Sequence, residues 1–243
     1  ENHDEMAGMA YVRWFIPILD EKPQPQYEPV QILPESCIQI SDMELFERPD
    51  QPRELDNRLL TELSYTSLIR QINKATRIEE VIGKHSQLPR LIHSMLTSGT
   101  KIRTVAWLVT AFSDAILHKL LAFALADLGE APAPFSFLVL GSEGRKEQTL
   151  KTDQDNAIVF QDPLKGQNVE KLQAFFVKLG EKVCTWLDQA GFDFCKGNIM
   201  AKNPKWCQPL SVWKGYFSSW IREASPENLL HSSIFFDFRH AYG

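Results

Sequence analysis

The sequence is poor in several things that would decide its class at once. Four cysteines in 243 residues (Cys37, Cys184, Cys195 and Cys207) are too few for a disulfide scaffold. None stands in a C-x-x-C pair, which argues against a zinc cluster and for reduced thiols in a cytoplasmic protein. Only 12 glycines exclude a collagen-like repeat, and 15 Phe, 6 Trp and 5 Tyr exclude a chain disordered throughout. No signal peptide is in view. Residues 105–125 are the longest apolar stretch, but Asp114, His118 and Lys119 interrupt it, so it reads as a core helix rather than a membrane span. A net charge of −5 gives little reason to expect a polynucleotide partner.

What is present changes character near residue 57. Residues 1–56 hold seven of the 14 prolines and 13 acidic against 4 basic residues, a net of −9; the remainder carries +4. This segment reads as an acidic, proline-rich arm with short strands near 11–16, 29–33 and 37–40, confined by proline to hairpins or edges. Residues 57–130 read as a helical bundle. Thr76 with Glu79 suggests a capping box, Pro89 opens a helix, and Ile102, Val105, Val109, Phe112, Ile116, Leu120 and Phe123 step along one long helix that Gly129 ends. From 131 the pattern becomes mixed. Residues 135–140 (FSFLVL) suit a buried strand, 145–150 a short helix, 155–160 a second strand and 169–187 an amphipathic helix. A further helix fits 211–222, Ser225-Pro226 forms a cap, and 234–238 (IFFDF) suits a third strand. The fold class is therefore α+β.

Chemistry concentrates between residues 137 and 160. A strand runs into Gly141-Ser142, where glycine lets backbone approach a phosphate and the serine hydroxyl offers a donor. Arg145 adds a fork of donors shaped for phosphate oxygens. Asp153 and Asp155 stand two apart at the entry to an apolar strand, on one face, and two carboxylates so placed repel unless a cation joins them. Mg²⁺ (or Mn²⁺) suits such oxygens together with those of a nucleoside triphosphate. Competing motifs fail on spacing: there is no P-loop, no EF-hand loop and no nucleophile elbow here.

G-S, ten residues, then D-x-D entering a strand resembles the signature of the DNA polymerase β-like nucleotidyltransferase superfamily. The fuller string GSEGRKEQTLKTDQDNAIVF resembles a narrower bacterial nucleotidyltransferase family, related to the protein-PII uridylyltransferase and often linked to CBS and cyclic-nucleotide-binding domains. Two later blocks, CKGNIMAKNPKW from Cys195 and FFDFRHAYG from Phe235, are similar to further segments of that family. The helical run at 57–128 also resembles the bundle that precedes that family's catalytic part, so the resemblance covers about residues 57–243.

The resemblance implies a catalytic core at 131–243, a small mixed sheet with flanking helices, cut short at its C-terminal end. It implies transfer of an NMP group from an NTP to an acceptor hydroxyl, and by analogy with the uridylyltransferase it points to an acceptor on a protein. The alternative is a catalytically silent nucleotide-binding module in signal transduction. By this resemblance Asp153, Asp155 and Asp237 are the catalytic and metal-holding carboxylates, and Gly141, Ser142 and Arg145 bind the nucleotide phosphates. Alone, Asp237 reads first as an ion-pair partner of Arg239, which is i+2 on the same face. Glu147, Gln148, Thr149 and Thr152 read as scaffolding hydrogen bonds. Asn198, Met200, Asn203, Pro204 and Trp206 read as either pocket or packing. His85, His93, His118 and His231 share no ligand spacing. The resemblance also implies regulatory and C-terminal helical domains outside these residues.

Overall fold

The computed structural model describes residues 13–18, 26–31, 64–223 and 225–243. The chain divides into two compact units, 1–59 and 60–243. Within the first, β1 (Arg13–Ile18) and β2 (Gln26–Gln31) form an antiparallel hairpin with Phe15 opposite Pro29 and Pro17 opposite Tyr27. A hairpin is what prolines allow, since a two-stranded ladder leaves outward positions that need no donor. The strand expected at 37–40 lies outside the described residues.

The second unit begins with α1 over residues 64–74, α2 (Ile78–Ile82), α3 (Leu88–Thr97) and α4 (Ile102–Leu128). The expected Thr76/Glu79 capping box is not formed. Arg77 is the N-cap, and the Glu80 carboxylate, not Glu79, accepts from the Thr76 N–H at 2.9 Å. Pro89 does stand in the first turn of α3. The 27-residue α4 buries Val109, Phe112, Ile116, Leu120 and Ala124, a three-and-four stepping that lays one stripe along the core. It is long and apolar enough to cross a membrane, at a mean hydropathy of 1.6, yet half of that stretch is buried inside the protein. The Tyr65 hydroxyl donates to the Leu108 carbonyl and ties α1 to α4; burial pushes this phenol up to about 12.

A four-stranded mixed sheet follows, in the order β7 (Cys207–Pro209), β5 (Asn156–Phe160), β3 (Phe135–Val139), β8 (Arg239–Tyr242). β3 is antiparallel to both β5 and β8, while β7 is parallel to β5. Alternation along the strands sends Phe137, Val139, Ile158 and Phe160 to one core and Leu138, Leu140, Ala157 and Val159 to another. Both faces are covered, which is why FSFLVL is a continuous apolar run rather than an alternating one.

On the first face lie α4 and α6 (Val169–Gln189), whose Leu172, Phe176, Leu179, Val183 and Leu187 are buried. That core is continuous with the one formed by α1–α3. On the second face, α7 (Leu210–Arg222) and α8 (Pro226–Phe235) build an aromatic cluster from Trp206, Trp213, Trp220 and Phe235. The Trp213 indole donates to the Ile158 carbonyl at 3.1 Å, anchoring α7 to the sheet. The Ser225 hydroxyl accepts from the Asn228 N–H, so Ser225-Pro226 is the cap that its sequence announces.

Two elements differ from the sequence reading. The one-turn helix α5 is Gly141–Gly144, and residues 145–150 are not helical. Residues 234–238 do not form a strand either: α8 runs through Phe235 and β8 starts only at Arg239. The capped start of α8 and the burial of Phe235 against Trp206 and Trp220 carry the helix into the apolar run.

Candidate active site

The site forms where β3 hands over to α5 and where β5 begins. Gly141 has φ +54, a conformation that disfavours any side chain with a Cβ, and this turns the chain directly after the buried strand. The turn faces Asp155: a Cβ at Gly141 would lie 3.6 Å from the Asp155 Oδ2. The Leu140 N–H donates to the Asp155 carbonyl at 2.9 Å, which locks turn and carboxylate in register. Ser142 is half-buried in α5, and the Glu147 N–H donates to its carbonyl at 2.8 Å.

Asp153 belongs to β4 (Asp153–Gln154), which pairs in parallel with β6 (Asp193–Phe194), Asp153 opposite Asp193 and Gln154 opposite Phe194. Asp153 is exposed, Gln154 and Asn156 are buried, and Asp155 is half-buried. The alternation puts both carboxylates outward and both carboxamides inward, as their i, i+2 spacing anticipates. Inside, the Gln154 Nε2 donates to the Cys184 and Phe192 carbonyls, and the Asn156 Oδ1 accepts from the Ala201 N–H at 2.7 Å.

Ligand atoms of Asp153, Asp155 and Cys195 all lie within 4.8 Å of one another. Burial raises the Asp155 carboxyl above its ordinary range, a Cys195 hydrogen bond opposes this, and the Asp153 charge adds to it. Two carboxylates and a thiol converging at this spacing form a donor set that fits a divalent cation. Cys195 is the member that sequence reasoning missed. Its place follows from the parallel β4–β6 pairing, which bridges 40 residues of chain and leaves no local motif.

Asp237 is not in this group. It lies in the bend between α8 and β8, and its Oδ2 takes the Arg145 Nη1 at 2.6 Å. Arg145 also donates to the Glu147 carboxylate at 2.8 Å. The Asp237–Arg239 pair suggested by the i+2 spacing is absent. Arg239 instead binds Asp114 on α4 through both terminal nitrogens, at 3.0 and 2.9 Å, and reaches the Glu143 carbonyl at 3.3 Å. The backbone of Asp237 nonetheless touches the site, because a Cβ at Gly144 would run into the Asp237 carbonyl. The structure thus brings Gly141, Asp153 and Asp155 together directly. Ser142 belongs to the same turn, and Asp237 joins through Arg145 and Gly144.

Behind the turn is a second group without a sequence signal. The Glu143 side chain lines a cavity of about 10 Å³ with Ser113, Gln154 and Asn156. Such a volume matches one water molecule. Burial, then the charge of Asp114, pushes the Glu143 carboxyl up to about 8. The Gln154 Oε1 is buried without a partner among the described residues.

Of the residues read as scaffolding, Thr149 bonds the Lys151 carbonyl and Glu147 pairs with Arg145. Gln148 is buried, but neither end of its carboxamide has a partner among the described residues. The segment after Cys195 fits the packing reading: Met200 and Trp206 are buried, and Asn203 caps the turn at Pro204–Trp206 and donates to the Asn198 carbonyl. His118 bonds the Ala241 carbonyl, and His85 packs on Phe192.

No curated protein matches this chain. A family model described as "Putative nucleotidyltransferase DUF294" matches residues 86–227, from the turn just before α3 into α8, a span that takes in Gly141, Ser142, Asp153, Asp155 and Cys195 and stops short of Asp237. With more than half of its residues inside that match and the glycine turn set against the paired carboxylates, the chain belongs to the DUF294 nucleotidyltransferase family.

Proposed function

We propose that this chain is a metal-dependent nucleotidyltransferase with a polymerase β-like core, moving an NMP group from an NTP to an acceptor hydroxyl. The observation that carries the reading is the approach of the Gly141 turn to the Asp155 carboxylate, with Asp153 beside it. A backbone turn open to phosphate, set against two carboxylates, is the arrangement that transfer of a phosphoryl-linked group requires.

A divalent cation (Mg²⁺ or Mn²⁺) bound by Asp153 and Asp155 supplies charge neutralisation for the triphosphate. The Ser142 hydroxyl donates to phosphate oxygens, and the turn at Gly141 admits them close to the backbone. Arg145 has two carboxylate partners, the exposed Glu147 and the half-buried Asp237. A triphosphate offers its guanidinium a stronger anionic partner. Asp237 is then released beside the turn, where it accepts the proton of the acceptor hydroxyl. That oxygen bonds to the α-phosphorus, the bond from phosphorus to the α,β-bridging oxygen breaks, and pyrophosphate leaves.

The uridylyltransferase-like resemblance points to a protein side chain as acceptor, in a cytoplasmic signalling role without polynucleotide or membrane. One observation favours the alternative of a silent nucleotide-binding module: the third carboxylate is held by Arg145 rather than with the other two.

Pyrophosphate release separates the two readings. It is measured with each NTP and Mg²⁺, with water or candidate proteins as acceptor. Release by the native chain and none by Asp155→Asn is expected. Magnesium-dependent nucleotide binding without release establishes the silent module, and the absence of both overturns either reading.

A further inference from the structure

We propose that Cys195 is the third protein ligand of the cation between Asp153 and Asp155, and that its thiolate biases the site toward thiophilic ions such as Zn²⁺ and Cd²⁺, and Mn²⁺ over Mg²⁺. This rests on the reading that a divalent cation binds the two carboxylates.

Four observations converge on the sulfur. The parallel register sets Asp153 opposite Asp193 and Gln154 opposite Phe194, so the next residue of each strand, Asp155 and Cys195, is carried to the same place. The Cys195 thiol donates to the Asp155 carboxylate, and its sulfur and the Asp153 oxygen share the 4.8 Å cluster. The backbone N–H groups of Gly197 and Ile199 point at the same sulfur. Finally, the loop that carries them is pinned from below, since the Asn156 N–H donates to the Ile199 carbonyl and the Asn156 Oδ1 accepts from the Ala201 N–H.

Burial and the Asp155 carboxylate raise the Cys195 thiol above its ordinary range, with the two amides opposing them, so the sulfur stays a thiol until a cation joins it, and a loop fixed by buried hydrogen bonds presents it in one orientation. Mg²⁺ takes oxygen and keeps its waters, whereas a thiolate selects softer ions. When the cation binds, the S–H bond breaks as the sulfur–metal bond forms, and the proton passes to solvent. The other two described thiols differ: Cys184 and Cys207 are fully buried, and the Cys184 sulfur is turned to the Asn156 carboxamide.

The test uses the full chain in a Cys37→Ser background, titrated with CdCl₂ while the ultraviolet thiolate-to-cadmium charge-transfer band is read. Calorimetry with MnCl₂ and MgCl₂ runs in parallel. The band is expected at one equivalent, and Cys195→Ser abolishes it. The same variant weakens Cd²⁺ binding on the order of 10–100-fold and leaves Mg²⁺ binding within about threefold. Cd²⁺ bound without the band, or a band that survives Cys195→Ser, overturns the assignment. Pyrophosphate release on the same samples separates this from the parent reading. Release with Mg²⁺ but no cadmium band removes Cys195 and leaves nucleotidyl transfer; a band without release does the reverse.

Discussion

Two arginines border the 141–144 turn, Arg239 at its sheltered rear and Arg145 at its more exposed front, and they hold their partners on different terms. Arg239 holds it from behind. Its side chain and that of Asp114 are 20% and 23% exposed, the pairing is two-pronged, and a further bond reaches the Glu143 carbonyl. Arg145 stands at the front and bonds residues outside the turn, Glu147 and Asp237. Its side chain and that of Asp237 are 44% and 39% exposed, and it divides itself between two carboxylates. A sheltered, bidentate pair fixes geometry and costs much to break, because a half-buried charge is left alone. An exposed pair is screened by water and salt and exchanges partners readily. The rear contact is therefore the frame of the site, and the front contact is the part a ligand can take over.

Breaking the rear contact has the largest effect. Arg239→Ala strands Asp114 and is expected to lower unfolding free energy by about 2–4 kcal/mol, read by chemical denaturation. Arg239→Lys keeps the charge but not the two-pronged fork, and recovers only part of the loss.

The next effect lies in the cavity behind the turn, which Glu143 lines. The folded chain holds the Glu143 proton up to about pH 8, whereas an unfolded chain loses it near its ordinary 4.5. Stability from this group is therefore fully present below about 4.5, falls as pH rises toward 8, and levels off beyond it. Glu143→Gln keeps the shape and cannot ionise. Above pH 8 it is expected to exceed the native chain in stability, with no difference near pH 4. Melting temperatures across pH 4–9 check both ends; a constant offset would remove Glu143 as the titrating group.

The front contact gives the smallest change in stability. Asp237→Asn is expected to leave the melting temperature almost unmoved. Arg145→Lys behaves likewise in stability but weakens NTP binding about tenfold, since a point charge replaces a fork. Equal losses of stability on the two sides would erase the distinction between frame and exchangeable contact.

Much of this was legible in the sequence. The Gly141 turn, the Asp153/Asp155 pair and the cap at Ser225-Pro226 are local patterns whose physics acts within a few residues. The long helices announced themselves through three-and-four spacing. What stayed hidden depends on distant partners. Cys195 meets Asp155 only through a parallel pairing, and Glu143 becomes unusual only because α4 and β5 close a cavity over it. Residues 234–238 misled for another reason: a short apolar run suits helix and strand alike, and packing against Trp206 and Trp220 decided it.

The close crossing at Gly144 has a mechanical consequence. Two stretches of backbone pass there with no side chain between them, so the segment carrying Asp237 has no slack relative to the turn proposed to meet a phosphate. Pressure on one is passed to the other as displacement rather than absorbed by rotamers. A ligand seated on the turn thereby sets the position of a carboxylate 93 residues further along the chain, at a spot where any larger residue would act as a wedge.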